Sequence, residues 1–162
     1  MFATVQQVID IPLGIAQSRL VTLMHGDWLR NASAEAYQRS ADDLLRVGPF
    51  GGKPGTSRLV RVQFTQPAYR DDAMRVGLRW EALGVTGGLF PALDADISLT
   101  ADGERTRVAL TGTYRPPLGA LGAGLDRLVL HKVATATITA FLDQLSGALA
   151  DAEACAAKAS HR

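Results

Sequence analysis

The stretch LDADISLTADGERTRVALTGTY, running from Leu93 to Tyr114, decides how this chain folds. On its first arm Leu93, Ala95, Ile97 and Leu99 alternate with Asp94, Asp96, Ser98 and Thr100. On its second arm Val108, Leu110, Gly112 and Tyr114 alternate with Arg107, Ala109, Thr111 and Thr113. Successive side chains leave a pleated backbone in opposite directions, so strict period two marks a strand with one packed and one wetter face. Between the arms, Asp102-Gly103 is a favoured pair for a two-residue type I′ hairpin loop. A turn centred there predicts Ile97 opposite Val108, Ala95 opposite Leu110 and Leu93 opposite Gly112. On the other face Ser98 meets Arg107 and Asp94 meets Thr111. A slip of one residue would set Ile97 beside a polar neighbour.

Working outward, Val60, Val62 and Phe64 alternate with Leu59, Arg61 and Gln63, and Met74, Val76, Leu78 and Trp80 with Arg75, Gly77, Arg79 and Glu81. Residues 2–9 read as another short strand, closed by Asp10-Ile11-Pro12 because proline has no N–H for a ladder and restrains the residue before it. The solid apolar runs of a buried parallel sheet are missing, so the sheet is predicted to be antiparallel. Residues 13–47 read as two helical pieces. Leu20, Leu23 and Met24 give the first an apolar face; the second is predicted to start near Ser33 as N-cap and to carry Tyr37, Ala41, Leu44 and Leu45. Gly48-Pro49 ends it.

After Pro116-Pro117 the pattern turns helical, loosely through Gly119, Gly122 and Gly124 and firmly from Leu125 to Ala148. Leu128, Val129, Val133, Ala136, Thr137, Ala140, Phe141, Gln144, Leu145 and Ala148 form the predicted apolar face, too long to be left in water. The reading is one α+β domain over residues 1–150, followed by an Ala-rich tail over 151–162. A single helix is only about 10 Å across, so a curved sheet around it is expected to enclose a mainly apolar cavity.

Composition narrows the function. The 162 residues are 47% hydrophobic and 20% charged, an ordinary globular balance, and the 17 Lys+Arg against 16 Asp+Glu leave a net charge of +1. No whole-chain field draws nucleic acid or an anionic membrane. One Cys, Cys155, excludes an internal disulfide framework and a thiolate metal cluster. The start of the chain has no basic region followed by an apolar run, and its apolar stretches are interrupted by charge, so the expectation is a cytoplasmic protein without integral membrane association. No HExxH spacing, no phosphate-binding glycine loop and no Gly-x-Ser-x-Gly elbow occurs, and neither a metal nor a cofactor is expected.

The order strand, two helices, antiparallel strands, long helix carries a resemblance, together with Leu45-Arg46-Val47-Gly48-Pro49, Leu78-Arg79-Trp80-Glu81-Ala82, Leu89-Phe90-Pro91, Leu93-Asp94-Ala95-Asp96, Gly112-Thr113-Tyr114-Arg115-Pro116-Pro117 and Gly119 through Arg127. The chain resembles the START-like, Bet v 1-like superfamily (SRPBCC, polyketide cyclase/dehydrase-like), and within it a small actinobacterial-type subgroup. The resemblance implies the helix-grip fold: a curved antiparallel sheet wrapped around a long C-terminal helix, with two short helices after the first strand closing one end of the cavity. It implies a concave ligand-facing surface that includes Val62, Phe64, Val76, Leu78, Trp80, Ala95, Ile97, Leu110 and Tyr114, with Val133 and Phe141 on the gripping helix. A cyclase of this superfamily would set acids or polar donors on that surface, whereas here it offers mainly Tyr114 and the Trp80 indole N–H.

Three functions follow. The first is binding or carriage of a small hydrophobic molecule: a lipid, polyketide, isoprenoid or quinone-like compound. The second is a cyclase, aromatase or dehydratase in which Tyr114, His131 or His25 reaches the interior to move protons. The third is a structural or interaction protein, a homodimer with its cavity filled by side chains. On the opposite sheet face Arg79, Glu81, Asp94 and Asp96 form the densest charge cluster. Pairing Arg79 with Asp96 would set Glu81 against Asp94, two acids that need Arg61 or Arg107 beside them. Such a set reads first as solvated surface, and otherwise as a protein-binding face or a carboxylate pair. Trp28 is expected in the helical lid, and Arg115 at the cavity rim beside Asp126.

Overall fold

The computed structural model describes residues 2–47, 60–82, 92–115 and 127–151. Its elements are β1 (Phe2–Ile9), α1 (Leu13–His25), α2 (Trp28–Val47), β2 (Val60–Phe64), β3 (Ala68–Arg70), β4 (Ala73–Ala82), β5 (Ala92–Asp102), β6 (Arg105–Arg115) and α3 (Arg127–Ala150). Every pairing is antiparallel, in the order β1-β6-β5-β4-β2, with β3 also on β4. This is the helix-grip α+β fold, with the sheet's concave face against α3 and the two helices that follow β1.

The β5–β6 hairpin corrects the expected register by two residues. Asp102 pairs with Arg105, so the loop is Gly103-Glu104, and Ile97 lies opposite Leu110, Ala95 opposite Gly112 and Leu93 opposite Tyr114. A type I′ turn centred on Asp102-Gly103 would need positive φ at both residues. Only Gly103 has it, at 65°, and glycine at the first central position is what a II′-type loop requires. Moving a turn centre by one residue moves the register by two, which keeps every side chain on its own face. Polarity matching is blind to that slip.

The β4–β5 register differs likewise. Arg79 lies opposite Asp94 and Gly77 opposite Asp96, so the two acids expected to face each other do not. Glu81 is instead flanked by Arg79 at 3.2 Å and by Arg61 of β2 at 3.9 Å, and Arg75 lies 3.9 Å from Asp96. All are partly exposed pairs on the convex face, where solvent screens them to little net worth.

β3 was not foreseen. Phe64 pairs with Leu78 and Ala68 with Arg75, so Thr65, Gln66 and Pro67 oppose only Val76 and Gly77. That extra residue makes a β-bulge, closed by Thr65 N–H donating to the Gly77 carbonyl at 2.9 Å and Gly77 N–H donating to Thr65 Oγ1 at 2.8 Å.

The helices also depart from the expected faces. α2 begins at Trp28, not near Ser33: Asp27, a favoured N-cap type, accepts from Asn31 N–H at 2.8 Å. Ser33 is buried inside the helix. On α3 the buried set is Ala134, Thr137, Ile138, Phe141, Leu142, Leu145, Ser146, Ala148 and Leu149, while Leu128 is 67% exposed and Ala136 is also exposed. The expected stripe was rotated because α3 packs on two partners, the β1–β6 side of the sheet and α2 alongside it. By length and composition His131–Ala150 is apolar enough to cross a membrane, but half of it is buried within this fold.

Two polar ties hold the frame. Arg19 of α1 donates to the carbonyls of Leu149 and Ala150 at 2.6 and 3.0 Å, placing a cation on the last turn of α3. Thr106, fully buried, donates to the Ile11 carbonyl at 2.7 Å and fastens the β1–α1 corner to β6.

Two substitutions test this account by chemical denaturation. Gly103→Ala forces a side chain into positive φ and is expected to cost about 1–2 kcal/mol, whereas Glu104→Ala in the same loop changes stability by less than about 0.5 kcal/mol. At Gly112 an added Cβ would stand 2.3 Å from Ala95 Cβ and 2.5 Å from the Asp94 carbonyl oxygen. Gly112→Ala is therefore expected to lose about 3 kcal/mol, the upper end for overpacking.

Candidate functional site

The pairings set the predicted site residues of the sheet in three adjacent cross-strand rows, beyond which Met74, Leu99, Val108 and Gln7 form a fourth. Val62, Trp80, Leu93 and Tyr114 form one; Phe64, Leu78, Ala95, Gly112 and Ala3 the middle one; Val76, Ile97, Leu110 and Val5 the third. Of the predicted site residues, Val62, Val76, Leu78, Trp80, Ala95, Ile97, Leu110, Tyr114 and Phe141 are buried, and Phe64 and Val133 are half-buried. Phe141 of α3 meets Trp80 edge to face, ring centroids 5.8 Å apart at 84°, a favoured aromatic geometry. All of the predicted site residues except Val133 belong to one hydrophobic core or, in the case of Phe64, pack against it.

α2 contributes Leu29, Ala32, Ser33, Ala36 and Tyr37 to the same core. These recur at helical spacing from the true start of α2, a signal hidden by placing that start at Ser33. Trp28, at the head of α2, packs partly buried against the core.

The interior's polar atoms divide into two kinds. Buried Thr137 donates to the Val133 carbonyl at 2.9 Å and Thr106 to Ile11. Trp80 Nε1, Ser33 Oγ and Ser146 Oγ are buried without a hydrogen-bond partner among the described residues. Leaving such a group unsatisfied costs about 1–3 kcal/mol.

A cleft of about 660 Å³ opens beside β2, lined by the apolar Met24 of α1, Val62, Phe64 and Leu78 and by Arg30 of α2, Gln63, Thr65, Gly77, Arg79 and Asp94. Arg30 is exposed and forms no ion pair among the described residues. Val62, one of the cleft's lining residues, lies directly across from Trp80 in the sheet.

The remaining candidates lie elsewhere. His25 is exposed at the end of α1, its Nδ1 2.7 Å from the Val21 carbonyl, and His131 is exposed on α3. Arg115 is exposed. Asp126, Cys155, His161, the glycine-rich loops 48–52 and 84–88, and the Leu89-Phe90-Pro91 lip lie outside the described residues. Among the described residues no three His, Cys, Asp or Glu side chains gather as metal ligands would.

The chain is similar to several solved structures. The hypothetical protein jhp0584 from Helicobacter pylori superposes over 91% of this chain and 86% of its own, at 11% identity and a TM-score of 0.50. TTHA0849 from Thermus thermophilus matches over 92% and 97% of the two chains, at 15% identity and a TM-score of 0.43. DynU16, from the dynemicin biosynthetic locus, is matched over 91% of this chain and 46% of its own, at 15% identity and a TM-score of 0.39. At these identities the likeness is one of fold. No protein-family model matches the chain, and no curated protein is significantly similar to it.

The unsatisfied hydroxyls make a direct prediction. Ser33→Ala and Ser146→Ala each remove a buried orphan and raise helix propensity, so each is expected to stabilise the protein by about 1 kcal/mol. Thr106→Val, which breaks a satisfied bond and strands the Ile11 carbonyl, is expected to destabilise it by about 1–2 kcal/mol in the same urea titration.

Proposed function

We propose that this protein binds or carries a small, largely apolar molecule bearing an acceptor oxygen, of the lipid, polyketide, isoprenoid or quinone-like kind. The observation that carries the reading is the Trp80 indole N–H, fully buried on the concave face of β4 and without an acceptor among the described residues. A purely structural core is better served by phenylalanine there, and by alanine at Ser33 and Ser146. A ligand oxygen seated between sheet and helices would satisfy the indole, with Val62, Phe64, Val76, Leu78, Ala95, Ile97, Leu110, Tyr114, Val133 and Phe141 as apolar surroundings.

The route runs from the cleft beside β2, where Arg30 meets the polar end of an amphipathic molecule. Since α3 is tied to α1 through Arg19, and to β1 through the Gln7 amide donating to Asp143, opening falls to α2. Of the three proton-moving groups the cyclase reading names, both histidines are exposed and Tyr114 is buried on the concave face, so no acid–base pair from that set meets inside. Carriage therefore stands ahead of catalysis.

Fluorescence titration tests this with two probes: a naphthyl ketone, which offers a carbonyl, and diphenylhexatriene, which offers none. The wild-type protein is expected to take up both with enhanced emission. Trp80→Phe keeps an aromatic wall but loses the donor, and should weaken the ketone about tenfold, equivalent to about 1.4 kcal/mol, while leaving the hydrocarbon within about twofold. Failure of folded wild-type protein to take up either probe overturns the proposal; equal weakening of both removes Trp80 as the polar contact.

A further inference from the structure

We propose that the outer edge of β1 is a two-fold interface with a second copy of this chain, joining two sheets into one. Among the described residues no strand pairs with that edge. Its eight residues, Phe2 to Ile9, contain no charged residue and no proline, although exposed edges are ordinarily blunted by charge, proline or a bulge. The opposite edge has all three: the bulge at Thr65–Pro67, Pro67 itself, and Arg61 and Arg70.

The strand's own pattern selects a copy of itself as partner. For the convex faces to continue across the seam, the two-fold axis must run through the sheet, and even-numbered residues must meet even-numbered ones. The register centred on Val5 then sets Phe2 against Val8 of the second copy and Thr4 against Gln6. Phe2 and Val8 are 68% and 42% exposed, and this register covers both while pairing polar with polar. It is an isologous contact, closed after two subunits.

The helix layer above fits the same partner. Asp143 accepts from Gln7, which turns its face of α3 toward the β1 edge. Ala136, Thr139, Ala140 and Gly147 share that face at helical spacing and are exposed or half-exposed. Small side chains there let two helices approach across the seam. The eight residues of β1 make a strip about 27 Å long, and strand plus helix layer stand about 20 Å tall. Two copies would bury on the order of 1,100 Å², about what a specific interface needs.

Sedimentation velocity on the full chain at tens of micromolar is expected to give a dimer. Thr4→Lys with Gln6→Lys sets lysine against lysine across the seam at two exposed positions, and should give a folded monomer by circular dichroism. Thr4→Lys with Gln6→Glu sets lysine against glutamate in the same register and should restore the dimer. A monomeric wild type overturns the proposal, including one that instead binds neutral or anionic liposomes. A dimer indifferent to the lysine pair overturns it as well.

Discussion

The close approach of Gly112 to Ala95 is the constraint on which the rest of the molecule depends. Directly opposed residues in an antiparallel pair ordinarily hold their Cβ atoms about 4.5–5.5 Å apart. Here an added Cβ on Gly112 would come within 2.3 Å of Ala95. The two backbones meet this closely only because one position lacks a side chain. The same cross-strand row ends in Ala3, so its middle is nearly bare. Larger side chains stand on either side, Trp80 and Tyr114 in one row, Ile97 and Leu110 in the other. A helix laid over a shallow trough with high flanks meets those flanks, as Phe141 meets Trp80.

That geometry also decides what α2 does. α3 rests on the β1–β6 side of the sheet, and the concave surface of β4 and β2 would be left wet. α2 covers it, packing along α3 and reaching β2 and β4. Its inward residues mix a large anchor, Tyr37, with Ala32, Ser33 and Ala36, so the layer is closed without deep interdigitation. The polar atoms left unsatisfied belong to three different layers: Ser33 on α2, Ser146 on α3 and Trp80 on β4. Thr106 and Thr137 show that this chain satisfies buried hydroxyls where a carbonyl is at hand.

Much of the fold was legible because period two and period 3.6 are local signals. The strands at Val60–Phe64, Leu93–Thr100 and Val108–Tyr114, the stop at Pro12 and the long final helix all follow from a few adjacent residues. What escaped was non-local or symmetric under the rule applied. The hairpin slipped by two because polarity has the same period as the error; only the φ requirement of Gly103, against Asp102, separates the two registers. The face of α3 was rotated because a helix wedged between a sheet and another helix buries an arc wider than one stripe, bringing in Ala134, Ile138, Leu142 and Leu149. Ser33 looked like a cap because serine favours caps, but Asp27 after Gly26 is also a cap signal and comes first. β3 is three residues long and follows a bulge, so no alternation exists to betray it. The candidate residues were assigned to the packed face because parity alone assigns faces; the unsatisfied state of Trp80 depends on everything around it.

The two ends of the sheet are unlike, and the difference matters for how binding and assembly coexist. The cleft lies beside β2, and the uncharged edge belongs to β1, four strand spacings or about 19 Å away. A partner seated on β1 would leave the cleft and α2 untouched. It would also press on α3, the helix already fixed by Arg19 at its C-terminus and by Gln7 along its length. Under the two proposals, stiffening α3 would separate the part of the structure that holds its shape from α2, the part that would yield to admit a ligand. A molecule entering between α2 and the sheet would then work against a rigid back wall, so its binding energy would go into displacing one helix and not into deforming the whole grip.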